Sequence, residues 1–354
     1  MVLMPLDIVA TNVTGLGAVQ LAESLIPALE RAPRLAVERI YLPDRGALAS
    51  YRRVAAGQPA VAMSRRLPNA ASRLLETTIG GRRFDRGVPL LVLGDVPLRV
   101  RARQTLVVQT PHLLARLSTA GGGDARKYAV MRRLFKLNAG RVSDFIVQSD
   151  VMRDALVAEY DLERVHVIQQ PPPKWLLDGG PLTRRAAGAR LRLFYPAAGY
   201  PHKNHVLLAA VDPTAWEALV EQVTITLPAS ETPAPGVPSL VCADRLDPAA
   251  MRLAYADSDA LLFLSTAESY GFPLVEAMWL GLPVIAPDRG YARSLCGDQA
   301  VYFDPRDAAS LVNAVAILGA RLASGWHPDW RPQLARLPRD WSEVATAIAA
   351  LLTG

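Results

Sequence analysis

Residues 265–287 read STAESYGFPLVEAMWLGLPVIAP, and their pattern decides the fold. The preceding run, Ala260-Leu261-Leu262-Phe263-Leu264, is unbroken apolar sequence, as expected of a strand buried on both faces. Residues 265–272 read as a loop. Pro273 sits where a first-turn helix proline belongs, Gly281 where the chain leaves a helix, and Pro283 follows as a stop. Val284-Ile285-Ala286 predict the next strand. Together these form a βαβ unit, which binds ligands outside the carboxyl ends of its strands.

Glu276 stands out in this unit as the only charged side chain between Ser269 and Pro287. Its helix neighbours are Leu274, Val275, Ala277, Met278, Trp279 and Leu280, and a carboxylate among them needs a partner. Glu268 precedes it by two helical turns' worth of chain, so the loop can bring both acids to one helix N-terminus. That N-terminus offers backbone N–H groups to an anion. Acids beside an anion site suit a ligand carrying both hydroxyls and phosphates, such as a nucleotide sugar. The competing reading pairs Glu276 with a buried arginine and gives it no chemistry.

The run E-S-Y-G-F-P-L-V-E followed by A-M-W-L-G-L-P-V-I-A-P resembles the E-x7-E signature of retaining family 4 glycosyltransferases with the GT-B fold. Both acids match, as do Gly271, Pro273, Ala277, Met278, Gly281 and Pro283, and most of residues 191–320 follow the family pattern. The resemblance implies an α/β GT-B architecture, two Rossmann-like doubly wound domains facing a central cleft. It also implies that Glu276 binds the donor ribose and Glu268 the sugar hydroxyls. The backbone of Gly271, Phe272 and Leu274 would hold the diphosphate.

A chain of 354 residues has room for two domains. Half its residues are hydrophobic and a fifth charged, which describes a globular protein. Cys242 and Cys296 lie far apart in apolar contexts, against a disulfide framework or zinc site and in keeping with a reducing cytosol. Asp7 interrupts the first short apolar stretch and no basic segment precedes it, so no signal peptide is expected. No run approaches a membrane span. Residues 1–170 hold 24 Lys+Arg against 15 Asp+Glu, whereas the remainder is net negative. The pairs Arg52-Arg53, Arg65-Arg66, Arg82-Arg83 and Arg132-Arg133 recur there. They suit anionic lipid headgroups or a diphosphate-linked acceptor, or are arginines spread over solvated faces. No nucleic-acid-binding motif accompanies them.

From the N-terminus, a strand over residues 6–10 leads through Gly15 and Gly17 into a helix over 18–31. The third glycine of a dinucleotide fingerprint is replaced by Gln20, so a nicotinamide cofactor is poorly supported. By resemblance, Gly15 and Gly17 form a glycine loop facing donor phosphates or acceptor; otherwise they form a tight strand-to-helix turn. Residues 43–87 have weak periodicity and are assigned to a variable acceptor-facing region. Strands follow over 90–94 and 105–109, placing His112 at a strand's carboxyl end, where the family often has a histidine near the transferred sugar. An ordinary loop histidine is the alternative. Helix 127–138, strand 145–148 and Ser149 as a helix N-cap come next.

The domain limits expected are 1–170, a linker over 171–190 opened by three prolines, 191–335, and a terminal helix within 336–354 crossing back to the first domain. A strand over 191–196 opens the second domain and leads to Tyr200-Pro201-His202-Lys203-Asn204-His205, with an apolar helix from Val206. The family places a lysine there against the donor diphosphate, where a cation stabilises the leaving group as a metal would. Lys203 takes that position. The arginine usual a few residues earlier is replaced by Ala197 and Ala198, and the glutamate usual near Ser294 is missing. Asp257-Ser258-Asp259 matches a metal-binding DxD but falls at a helix end, where packing and capping explain it. No metal or other cofactor is expected.

The function so implied is retaining transfer of a hexosyl group, mannosyl among the candidates. The donor is a GDP- or UDP-sugar; the acceptor is a glycan or lipid-linked molecule of surface polysaccharide or lipopolysaccharide synthesis. Glu268, Lys203 and His112 form the catalytic set. The expected location is the cytoplasm, peripherally on an anionic membrane, with no nucleic-acid partner. The rival readings are a GT-B sugar-nucleotide epimerase, which needs no acceptor, and a non-catalytic scaffold subunit, which leaves every donor intact.

Overall fold

The computed structural model describes residues 3–52, 62–66, 70–180, 182–183 and 188–354. Arg53 and parts of the acceptor-facing region and linker expected from the sequence lie outside the described residues. The chain divides into two compact units, Met1–Pro173 with Pro338–Gly354, and Lys174–Leu337.

The first unit holds strands β1 (Met4–Val9), β2 (Leu35–Pro43), β3 (Ala62–Arg66), β4 (Leu90–Val92), β5 (Gln104–Val107), β6 (Val142–Val147) and β7 (Val165–Val167). Among the described residues they form one parallel sheet in the order β3-β2-β1-β4-β5-β6-β7. Its helices are α1 (Leu16–Glu30), α2 (Ala70–Thr78), α3 (Gly122–Asn138) and α4 (Asp150–Tyr160). The strands are apolar runs because helices cover a parallel sheet on both faces: Leu6, Ile8, Leu90, Leu91 and Leu106 are fully buried. Ser149 caps α4, accepting from Met152 N at 3.4 Å.

In the second unit, α5 (Lys174–Leu177) precedes β8 (Leu191–Tyr195), α6 (Pro213–Leu219), β9 (Val220–Ile225), β10 (Leu240–Cys242), α7 (Pro248–Ala256) and β11 (Ala260–Leu262). Then follow α8 (Phe272–Trp279), β12 (Val284–Pro287), α9 (Gly290–Cys296), β13 (Val301–Phe303), α10 (Ala308–Ala323) and α11 (Arg331–Leu334). The parallel strand order is β10-β9-β8-β11-β12-β13. Helix α12 (Trp341–Thr353) belongs to the first unit and packs on α1. Its N-cap Asp340 accepts from the Ser342 and Glu343 backbones, and Trp341 Nε1 donates to Pro172 O at 3.0 Å. Among the described residues, no helix is long and apolar enough to cross a membrane.

Strand order reverses between β1 and β4 in one sheet and between β8 and β11 in the other. Successive crossovers leave these strand pairs on opposite sides, opening a crevice at their carboxyl ends.

Several local expectations differ from the structure. The helix expected from Val206 is a 3₁₀ turn, His205–Ala210. Pro213 keeps residue 212 extended, and Asp212 caps α6 by accepting from Ala215 N at 2.7 Å, so little chain is left for an α-helix. Gly17 is a helical residue inside α1 and not part of a loop, while Gly15 is the N-cap at an ordinary φ of −71°. The residues 260–264 expected as strand form a ladder only to Leu262. Phe263 N still donates to Ile285 O at 2.8 Å before the backbone turns away, with Phe263 and Leu264 fully buried.

Candidate functional site

Two loops of the second unit meet at its switch point. The loop after β8 carries Lys203 on a short 3₁₀ turn, Pro201–Lys203. Asn204 then takes a left-handed φ of 56°, and its Nδ2 donates to Pro305 O at 2.9 Å. Tyr195 Oη, at the end of β8, donates to Lys203 O at 2.6 Å. The loop after β11 is tied to the first through one carbonyl: His202 O accepts from Thr266 N at 2.7 Å, Thr266 Oγ1 at 3.1 Å and Ser265 Oγ at 3.2 Å. Tyr291, from α9, donates its hydroxyl to Ser265 O. Both loops are therefore held by buried and half-buried hydrogen bonds, which fixes the side chains they present.

Those side chains are Lys203 and Glu268, whose Nζ and Oε1 form an ion pair. Their side chains keep 17% and 14% exposure, so solvent still reaches a largely enclosed pair. Burial raises the pKa of the Tyr195 and Tyr291 phenols, and the Glu268 charge adds to the effect. Both phenols stay protonated as donors. Burial, then the charge of Lys203, depresses His205 to a pKa of about 4. His205 is thus a neutral ring packed on Tyr195, with centroids 4.9 Å apart.

Gly271 ends the second loop at φ +98° and starts α8 without a side-chain cap. A Cβ there would come within 3.2 Å of Leu274 Cδ1, so the backbone conformation favours glycine and a side chain would also crowd Leu274. Pro273 occupies the first turn and has no N–H, Leu274 N donates to Gly271 O at 2.9 Å, and no side chain caps the helix start. Phe272 and Leu274 are buried. One turn further on, Glu276 is 2% exposed and its Oε2 accepts from Tyr255 Oη at 2.6 Å. Burial and the Glu276 charge push the Tyr255 phenol well up, fixing it as the donor.

The structure therefore brings Lys203 and Glu268 into contact and places Gly271, Phe272, Leu274 and Glu276 at the start of α8, directly after the loop that carries Glu268. His112, Gly15 and Gly17 belong to the first unit. His112 is buried in a 3₁₀ turn after β5, its Nδ1 3.3 Å from Ser118 Oγ and its ring against Tyr128. Asp257 pairs with Arg192 at 2.8 Å, and Asp259 Oδ2 accepts from Arg192 N at 2.8 Å. These acids of the DxD match serve as strand and helix-end anchors. Among the described residues, no group of three or more His, Cys, Asp or Glu could hold a metal ion.

Sequence reasoning missed Tyr255, which no spacing rule links to Glu276 across 21 residues. It also missed Arg289, at the carboxyl end of β12, whose charge bears on Tyr291. Only their positions relative to strand ends could have suggested them.

Comparison with known proteins fits this geometry. Residues 201–320, which contain all the second-unit site residues, match the family model described as glycosyl transferases group 1. Sucrose-phosphate synthase from Thermosynechococcus elongatus superposes with a TM-score of 0.70 at 14% identity, covering 99% of this chain and 98% of its own. The Anabaena protein HepE, solved with UDP and glucose, gives 0.66 at 15% identity over 100% of both chains. WaaG, a glycosyltransferase involved in lipopolysaccharide biosynthesis, gives 0.60 at 13% over 98% and 95%. The fold is GT-B. Comparison with curated proteins gives no match.

Proposed function

We propose that this protein is a retaining glycosyltransferase that moves a hexosyl group from a nucleotide sugar to a glycan or lipid-linked acceptor. One observation carries the reading: Lys203, Glu268 and the uncapped start of α8 converge at the β8/β11 switch point, inside the segment that matches the family model. A cation beside the positive end of an uncapped helix suits a diphosphate. Two carboxylates suit sugar and ribose hydroxyls. Glu276, held by Tyr255, takes the ribose, and Glu268 turns from Lys203 to the sugar when phosphate arrives. Arg289 adds positive charge on the same sheet rim, where Ala197 and Ala198 supply none.

In the reaction the anomeric C–O bond to the diphosphate breaks and the acceptor oxygen bonds to the same face of an oxocarbenium-like sugar. The acceptor's proton passes to the departing phosphate oxygen. Lys203 stabilises the charge that builds there, so neither a protein nucleophile nor a metal is required by this scheme. His112 is assigned a positioning role at the acceptor side. The protein works in the cytoplasm at a membrane carrying the lipid-linked acceptor.

Thermal shift with GDP-, UDP-, ADP- and dTDP-sugars, run beside Glu276→Ala, tests the reading. A donor at 100 times its dissociation constant stabilises the wild type by about 2.7 kcal/mol. One nucleotide class should shift wild type and not the variant. No shift with any donor overturns the assignment. Retention is checked separately by the anomeric configuration of the product in NMR.

A further inference from the structure

The loops after β8 and β9 carry an aromatic ring and a carboxylate that take no part in the transfer chemistry. Tyr200 is 48% exposed, and the His202 ring lies parallel to it with centroids 5.7 Å apart. The backbone beneath is fixed: Tyr200 N donates to Ala198 O at 2.8 Å, and Tyr200 O accepts from Lys203 N at 2.9 Å. An exposed ring is thus held one turn before the lysine assigned to the diphosphate.

The loop after β9 is tied to the same place. Thr226 Oγ1 donates to Ala197 O at 3.2 Å, and a 3₁₀ turn, Ala229–Glu231, follows. Glu231 lays its carboxylate over Gly199, where a Cβ would stand 3.0 Å from Glu231 Oε2. Glu231 is exposed, and among the described residues its carboxylate has no hydrogen-bond or ion-pair partner. Ring and carboxylate therefore flank a residue without a side chain.

Sheet order gives this pair its place along the donor. The sugar is assigned to Glu268, after β11, and the diphosphate to Lys203, after β8. Glu276, assigned to the ribose, is held by Tyr255, whose ring packs on Phe194 of β8. The next strand in the same direction is β9, so the base end of the nucleotide faces Tyr200 and Glu231. A base is read by stacking on its face and by hydrogen bonds at its edge. Guanine presents two adjacent donors there, N1–H and the 2-amino group, and one carboxylate accepts both. Uracil and thymine offer a single N–H between two carbonyls, and adenine an amino group beside a bare ring nitrogen. Each of these sets a lone pair against the carboxylate.

We propose that Tyr200 and Glu231 select guanine, which makes the donor a GDP-sugar. The base stacks on the Tyr200 ring and gives its N1–H and 2-amino group to the Glu231 carboxylate. The inference rests on the proposed donor site and names the base that this site takes.

Titration calorimetry of the full chain with GDP, UDP, ADP, inosine diphosphate and inorganic pyrophosphate provides the test. GDP should bind about tenfold or more tighter than UDP or ADP, with inosine diphosphate, which lacks the 2-amino group, in between. Glu231→Gln should weaken GDP by roughly tenfold and leave UDP unchanged. Tyr200→Ala should weaken GDP by about as much and spare pyrophosphate, which has no base to stack. Unchanged unfolding profiles show that both variants are folded. UDP or ADP binding as tightly as GDP, or Glu231→Gln holding GDP like the wild type, overturns the guanine assignment and leaves the transferase reading standing. No binding of any nucleoside diphosphate overturns both.

Discussion

The two sheets have the same doubly wound plan, yet their switch points are furnished differently. At β8/β11 an ion pair, Lys203–Glu268, remains accessible to solvent beside an uncapped helix start. At β1/β4 the polar groups hold one another. Thr11 Oγ1 and Asn12 Nδ2 both donate to Glu76 Oε2, at 3.0 and 2.7 Å, and Arg73 Nη2 donates to Asn12 O at 3.0 Å. Asp95 Oδ1 accepts from the backbones of Gln109 at 2.5 Å and Thr110 at 3.0 Å. Between Thr11, Asn12, Arg73 and Gly94 is a cavity of about 10 Å³, at the lower limit for a water molecule. Topology supplies a crevice in both units, but among the described residues it is the second that presents an ion pair a ligand can take over.

The largest expected effect tests that contrast directly. Lys203→Ala should lower turnover by about 10²- to 10³-fold, the scale of removing one charge-stabilising group. Asn12→Ala should change turnover by no more than a few-fold. Comparable losses in both variants would break the comparison and give the first rim a part in the chemistry.

The second effect concerns pH. His205 has an ordinary value of 6.5 and falls to about 4 when folded, through burial and then the Lys203 charge. Below pH ~6.5 the unfolded chain therefore binds a proton that the folded chain refuses. Stability must fall as pH drops from ~6.5 towards ~4, by about 2 kcal/mol at pH ~5. Denaturant unfolding of the wild type and His205→Phe across this window should show a flatter acid limb in the variant. Identical limbs would refute the assignment.

A loss of similar size is expected at Tyr255. Tyr255→Phe removes the hydroxyl that donates to buried Glu276 and should cost about 1–3 kcal/mol. Donor affinity should weaken as well, because Glu276 loses one of the groups that orient it. Calorimetric unfolding and nucleotide titration separate the two losses.

The contrast also explains what could be read from sequence. Glu268, Gly271, Pro273 and Glu276 lie in one contiguous loop-helix segment, where spacing itself encodes geometry. Lys203 was singled out by the family resemblance, which places a lysine in the loop after the strand that opens the second domain. Tyr255 and Asp95 were not, since each meets its partner through the fold and not through local spacing. The same holds for the first-unit rim, assembled from residues 11, 12, 73, 76, 95 and 109. The expected helix at 206 failed where the cap at Asp212 outweighed an apolar pattern. Gly17 failed because a glycine beside a strand end need not enter a loop if the helix starts early.

Thr11→Val carries the smallest prediction and sharpens the comparison most narrowly. Valine keeps the shape of a side chain that is 3% exposed but removes its donor to Glu76. Asn12 Nδ2 still donates to the same Oε2, so the carboxylate is not stripped. The expected cost is about 1 kcal/mol, near the net worth of one hydrogen bond. Thermal unfolding of the first unit should register it, while donor binding by the second should be unaltered. A loss well above that of Tyr255→Phe would mean that Glu76 depends on Thr11 far more than on one donor among several. The first rim would then be a single cooperative network, whereas Glu276 would tolerate the loss of its tyrosine.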